Sequence, residues 1–105
     1  MKRNEILKKL KFEVPDSKKK RVIISSDVKN EADDQFAIMH HLLTPSEDVK
    51  GIIAAHFERN VRLAEAGSAM LCNRGKTMEL SYEEGKKILE LARIDDVPML
   101  RGAAY

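Results

Sequence analysis

The chain has 105 residues, 43% of them hydrophobic and 34% charged, with 19 Lys+Arg against 17 Asp+Glu and a formal net charge of +2. That length allows one domain with a modest core, about two-thirds of the unfolded surface being buried at this size, and the near-neutral charge argues against nucleic acid as a partner. The lone Cys72 excludes an intrachain disulfide and a cysteine-based zinc cage, while the absence of a signal-peptide core in "MKRNEILKKLKFEV" and of any bilayer-length apolar run points to a cytoplasmic protein with no membrane partner.

In chain order, "NEILKKLKF" sets Ile6, Leu7 and Leu10 on one helical face and Lys8, Lys9 and Lys11 opposite, which predicts a short amphipathic helix interrupted by Pro15. Residues 1–19 then form a helix and basic linker packed on a main body of residues 20–105. Lys18, Lys19, Lys20 and Arg21 continue the basic run, which without interleaved aromatics reads as a solvated flank. "RVIISS" follows, and its β-branched Val22, Ile23 and Ile24 predict a strand buried on both faces at the centre of a parallel sheet.

From Asp33 the period becomes helical, with Phe36, His40 and Leu43 at i, i+4 and i+7 and Ala37 beside them, so His40 is expected to pack; Thr44 and Pro45 close the helix. "VKGIIAAHF" predicts a second buried strand from Val49 to Phe57, completing a β-α-β unit. "ERNVRLAEAGSAMLCNRGKTMEL" reads as helix or ordered loop, with Cys72 a packing residue. "SYEEGKKILELAR" opens with Ser81 and Glu84 in capping-box spacing, and "DVPMLRGAAY" predicts a third short strand. The fold expected is α/β, a parallel sheet of about three strands with flanking helices. Such a sheet leaves two edges unpaired and too few helices to cover both faces, as in the N-terminal fragment of a larger open-sheet fold.

Chemistry concentrates in "SSDVKNEADDQFAIMHH", where Asp27, Glu31, Asp33 and Asp34 fall within eight positions at the end of the first strand. Open parallel sheets form their sites at the carboxyl ends of strands. Carboxylates so crowded either raise one another's pKa or share a hard cation, and oxygen donors without cysteine favour Ca²⁺ or Mg²⁺ over zinc. An EF-hand is excluded because Ala32 and Ile38 stand where Gly and Glu are required, and a phosphate loop because the glycines and the Lys-Ser/Thr pair are missing. The plain alternative is that Asp33 or Asp34 caps the following helix while the other acids are solvated. His56, Glu58 and Asn60, near the end of the second strand, are candidates to border a substrate pocket.

The segment "RVIISSDVKNEADDQFAIMHHLLTPSEDVKGIIAAHFE" resembles the N-terminal part of the inosine-uridine-preferring nucleoside hydrolases, whose hallmark is D-x-D-P-G-x-D-D followed by A-x-A-I-like helix residues; "VPMLRGAAY" resembles their third strand, so the likeness spans roughly residues 20 to 105. It is nearest a divergent branch whose loop reads D-x-x-N-E-x-D-D-Q-F-A. The resemblance implies a Ca²⁺-dependent N-glycosidase that splits ribonucleosides into base and ribose, with a place in purine and pyrimidine salvage. It makes Asp27 the residue that touches the metal and accepts a proton from the attacking water, Asp34 a bidentate metal ligand, and Asp33 the acid near the ribose hydroxyls. Ser25 stands where the hallmark has its first Asp, and "VKNEA" is two residues longer than the usual spacer, so Asn30 and Glu31 are assigned only as substrate contacts.

The chemistry suits these residue types: carboxylates stabilise an oxocarbenium-like transition state while a metal-bound water attacks. The family's domain is about three times as long as this chain, and its later segments carry the remaining ligands and the leaving-group acid, so little turnover is expected from residues 1–105 alone. Two other readings compete. One is a non-enzymatic α/β module that associates through its open sheet edges, which would make it a homo-oligomer. The other is a metal-dependent phosphate-ester hydrolase of the haloacid-dehalogenase type, against which Ser25 and Lys29 occupy both positions that could complete a D-x-D pair with Asp27.

Overall fold

The structure is a computed structural model that describes residues 1–11, 13–29, 32–57 and 76–103. Its elements are α1 (Arg3–Lys8), a 3-10 turn (Asp16–Lys18), β1 (Lys20–Ser26), α2 (Asp33–Leu42), β2 (Glu47–Ala54), α3 (Lys76–Leu91) and β3 (Met99–Arg101). The strands form a parallel sheet in the order β1-β2-β3. The α/β class and the three-stranded parallel sheet are as expected from the sequence. No helix among the described residues is long and apolar enough to cross a membrane.

The central strand, however, is β2 and not β1. A β-branched run reports preference for extended backbone but not how many neighbours the strand acquires. In β1 the burial alternates, and Ile23 remains 64% exposed. Ile24, Ile52 and Met99 are in register across the sheet and face the helices. There they join Ile38 and Leu42 from α2 and Ile88 and Leu89 from α3 in one apolar cluster. The other sheet face carries Ile23, Ile53 and Leu100, and Leu100 is 47% exposed. Between Val49 and Gly51 the register with β1 slips by one residue, leaving Lys50 as a bulge. Val49 and Ile52 consequently both turn toward the core, three positions apart.

Helix α2 buries a different stripe from the one its spacing suggested. Ile38 and Leu42, one turn apart, are 1% and 0% exposed, whereas Phe36 is 78% exposed and Ala37, His40 and Leu43 also face outward. Both stripes satisfy a helical period, and Ile38 and Leu42 add the more compact aliphatic pair to the core. His40 is therefore a surface residue rather than a packed one. In α3 the capping-box expectation fails for a simpler reason: the helix starts at Lys76, so Ser81 lies in its second turn and is fully buried. The "KTMEL" segment supplies that extra turn, with Thr77 and Met78 buried. The remainder of the uncertain segment, including Cys72, lies outside the described residues.

Two glycines mark close approaches. A side chain at Gly85 would run into the thioether end of Met99, and one at Gly102 would strike the carbonyl oxygen of Ala54 and come within 2.9 Å of Ile53 Cγ2. Gly102 also donates its N–H to that same carbonyl at 3.0 Å. Met99 can swing aside, but the β2 backbone cannot. Gly102→Ala should therefore cost about 1–3 kcal/mol through overpacking. Gly85→Ala should be nearly neutral, the clash being offset by about 1 kcal/mol of helix propensity. Urea unfolding of the two variants checks this, and equal losses would contradict it. Arg101 fastens the other side of β3, its Nε donating to Glu79 Oε1 at 2.7 Å while the guanidinium lies 3.9 Å from the Tyr82 ring centroid. The Glu79 contact holds the Arg101 guanidinium above its ordinary value.

The N-terminal helix docks through an arginine. Arg3 is 5% exposed, and its Nε donates to Leu42 O at 2.8 Å while Nη2 reaches Thr44 O at 3.0 Å and His41 O at 3.3 Å. They gather at the end of α2, where the His41 and Thr44 carbonyls also accept the Thr44 and Glu47 backbone N–H groups at 3.2 and 3.1 Å. The Arg3 backbone N–H meanwhile donates to Asp96 Oδ1 at 2.9 Å. Burial pushes the guanidinium below its ordinary value, and Asp48, Asp96 and Glu47 act in the opposite direction.

Candidate active site

Because the strands are parallel and α2 and α3 return antiparallel to them, the ends of β1 and β2 and the N-termini of α2 and α3 gather at one edge of the sheet. Ser26 and Asp27 come from β1 and the residue after it, Asp33 and Asp34 from the first turn of α2, and His56 from just beyond β2. The second strand stops at Ala54, so His56 and Phe57 lie past its end and not within it.

The edge is held by a few specific bonds. Ser26 Oγ donates to Asp34 Oδ2 at 2.6 Å, and Ser26 is 8% exposed while Asp34 is half-buried. That bond joins the end of β1 to the start of α2. The Ser26 carbonyl accepts the Ala55 N–H at 2.9 Å, and the Phe57 N–H donates to Thr77 Oγ1 at 3.1 Å. The stretch bearing His56 is thus pinned between β1 on one side and the first turn of α3 on the other, where Thr77 is fully buried. His56 itself is half-buried.

Glu84 of α3 braces the same region, receiving Lys29 Nζ at 3.5 Å and Gln35 Nε2 at 3.4 Å. Its side chain is 19% exposed, and it links both ends of the acidic loop to α3. Asp27 is half-buried at the strand end and Asp33 is exposed in the helix's first turn. The N-cap of α2 is Ala32, with no side-chain cap bond, so neither Asp33 nor Asp34 caps the helix. Both still sit where the helix dipole favours a negative charge.

Of the residues anticipated from sequence, Asp27, Asp33, Asp34 and His56 fall at this one edge, while Asn30, Glu31, Glu58 and Asn60 lie outside the described residues. Ser26 was not anticipated, although strict alternation along β1 would have separated it from Ser25. The latter is exposed on the open face. Gln35 and the bracing role of Glu84 were also missed, because they depend on α2 meeting α3.

Among the described residues no group of three or more His, Cys, Asp or Glu side chains comes together in a way that could hold a metal ion. The donors present, Asp27 and Asp34, are hard oxygens of the right kind, but calcium takes about six to eight such ligands. The described residues therefore fit part of a coordination shell and not a whole one. A depression of about 710 Å³ lined by Asn4, Leu7, Lys8, Lys11 and Lys19 lies at the amino-terminal end of the sheet, away from these acids. No family model, curated protein or solved structure matches this chain.

Proposed function

We propose that the chain is nucleoside-hydrolase-like and that its acidic edge is one part of a site for hydrolysing the N-glycosidic bond of ribonucleosides in the cytoplasm. The observation that carries this reading is the Ser26–Asp34 bond of 2.6 Å, which holds a helix-terminal carboxylate against the end of β1 beside the half-buried Asp27. Carboxylates gathered at the carboxyl edge of a parallel sheet suit a transition state that develops positive charge on a sugar. Asp27 accepts the proton of the attacking water, and Asp33, exposed in the first turn of α2, receives the ribose hydroxyls. A Ca²⁺ (or Mg²⁺) would lower the pKa of that water when bound. Asp27 and Asp34 are the carboxylates that would help hold it, Ser26 fixing the direction of Asp34. Asn30, Glu31, His56 and Asn60 are assigned to the substrate's surroundings.

Calorimetric titration with Ca²⁺ tests the reading. The wild type should bind weakly, with Kd on the order of 10⁻⁴–10⁻³ M for so incomplete a shell, and Asp34→Ala should lose that binding by about tenfold or more. No heat from the wild type at millimolar calcium would remove the metal assignment. In a ribose-release assay on inosine and uridine the chain should show little turnover, since no described residue is placed as the acid for the departing base. Robust release that depends on Asp27 would overturn the view that only part of the site is present.

A second reading, a non-enzymatic α/β module, draws on the exposure of Ile23 and Leu100 on the uncovered sheet face. The titration separates the two, because such a module has no need for calcium.

A further inference from the structure

We propose that β1 pairs with β1 of a second copy of this chain, antiparallel about a two-fold axis at Ile23, to make a continuous six-stranded sheet. Among the described residues β1 has only β2 as a neighbour. Lys20 donates its N–H to Ser46 O and Ser26 accepts from the Ala55 N–H, both at 2.9 Å, so the even-numbered residues of β1 direct their backbone polar groups at β2. By alternation Arg21, Ile23 and Ser25 direct theirs outward, toward the free edge. The bulge lies in β2, so nothing interrupts this alternation along β1.

An antiparallel partner bonds only where both strands present outward groups. Full overlap of Lys20–Ser26 with itself then sets Ile23 opposite Ile23 and Arg21 opposite Ser25. Arg21, Ile23 and Ser25 are exposed and alternate onto the same sheet face, with the exposed Lys19 just before the strand and the half-buried Asp27 just after it. Read along the strand and its two flanks, the order is basic, basic, apolar, polar, acidic; an antiparallel copy runs the reverse. Lys19 and Arg21 of each chain therefore approach the acidic end of the other. A parallel copy would set Lys19, Arg21 and Asp27 each against its own kind.

The apolar face gains as well. Ile23, 64% exposed in one chain, meets its symmetry mate, and the strip through Ile53 and Leu100 continues across the axis. Edges of this sort are usually guarded by a charge at the middle of the strand, by proline or by a bulge. In β1 the charges stand only at the N-terminal end, at Lys20 and Arg21. The pairing does not draw on the hydrolase reading, and each can fail without the other.

Sedimentation velocity on the full chain at tens of micromolar should give twice the 11.9 kDa chain mass. Ile23→Lys, which opposes two ammonium groups at the axis, should sediment as a monomer with an unchanged circular dichroism spectrum. In a Cys72→Ser background, Ile23→Cys should oxidise to a covalent dimer, since opposite residues in such a pair have Cα atoms about 5.5 Å apart, within disulfide reach. Ser25→Cys alone should not, but should cross-link when mixed with Arg21→Cys. A monomeric wild type, a dimer that survives Ile23→Lys, or self-cross-linking at position 25 in place of 23 would each overturn the proposal.

Discussion

Replacing Arg3 by methionine is expected to lower the stability of the chain by about 2–4 kcal/mol, a large part of the 5–15 kcal/mol that holds a typical domain together. Methionine retains much of the buried stem but removes the donor shared by three carbonyls, of which those of His41 and Thr44 keep a backbone N–H partner and that of Leu42 loses the shortest of the three bonds. Hydrogen bonds from a charged donor contribute about 1.5–3 kcal/mol, and the Leu42 carbonyl adds its own desolvation cost. Arg3→Lys sharpens the test: it keeps the charge, but one ammonium cannot match a planar fork that reaches three acceptors, so it should recover only part of the loss. Urea unfolding followed by circular dichroism measures both. A loss below about 0.5 kcal/mol for the methionine variant would mean that water replaces the guanidinium at little cost.

The second large effect is expected at Ile52. It is 0% exposed in the central strand and lies in the cluster that α2 and α3 share with the sheet. Ile52→Ala removes buried methyl groups and leaves a cavity that a fixed strand cannot close, with a loss of about 2–5 kcal/mol. Ile23 provides the internal control, having the same side chain one strand away but 64% exposed in the single chain. Below the association concentration, Ile23→Ala should change stability by less than about 0.5 kcal/mol. Comparable losses at both positions would show that the open face is covered after all.

These two residues also show how far the sequence could be read. The β-branched runs made β1 and β2 legible, and the crowded acids marked the edge where a site would form, because both are local patterns. That Ile52 would be central and Ile23 peripheral was not local information, as it depends on the order in which strands meet. Arg3 carries no local signal in the sequence, and only the end of α2, some forty residues away, gives it a role. The α2 face was misjudged for a related reason. Phe36 and Ile38 offer two stripes of similar period, and the choice between them belongs to the sheet. Among the site residues, Asp27, Asp33 and Asp34 were legible as carboxylates, but the hydroxyl that orients Asp34 was not, since two adjacent serines differ only in which side of the strand they occupy.

The bulge at Lys50 has a bearing on length as distinct from composition. Strand side chains obey a parity rule, and a single extra residue switches that parity between Val49 and Ile52. The lysine side chain is exposed and pairs with Asp48 at 2.7 Å, so its chemical identity matters little to the core. Its presence as a spacer matters a great deal: without it, either the Val49 end or the Ile52–Ala54 end of the central strand would turn its apolar side chains to solvent. Position 50 is therefore one where the chain can accept almost any substitution but no deletion.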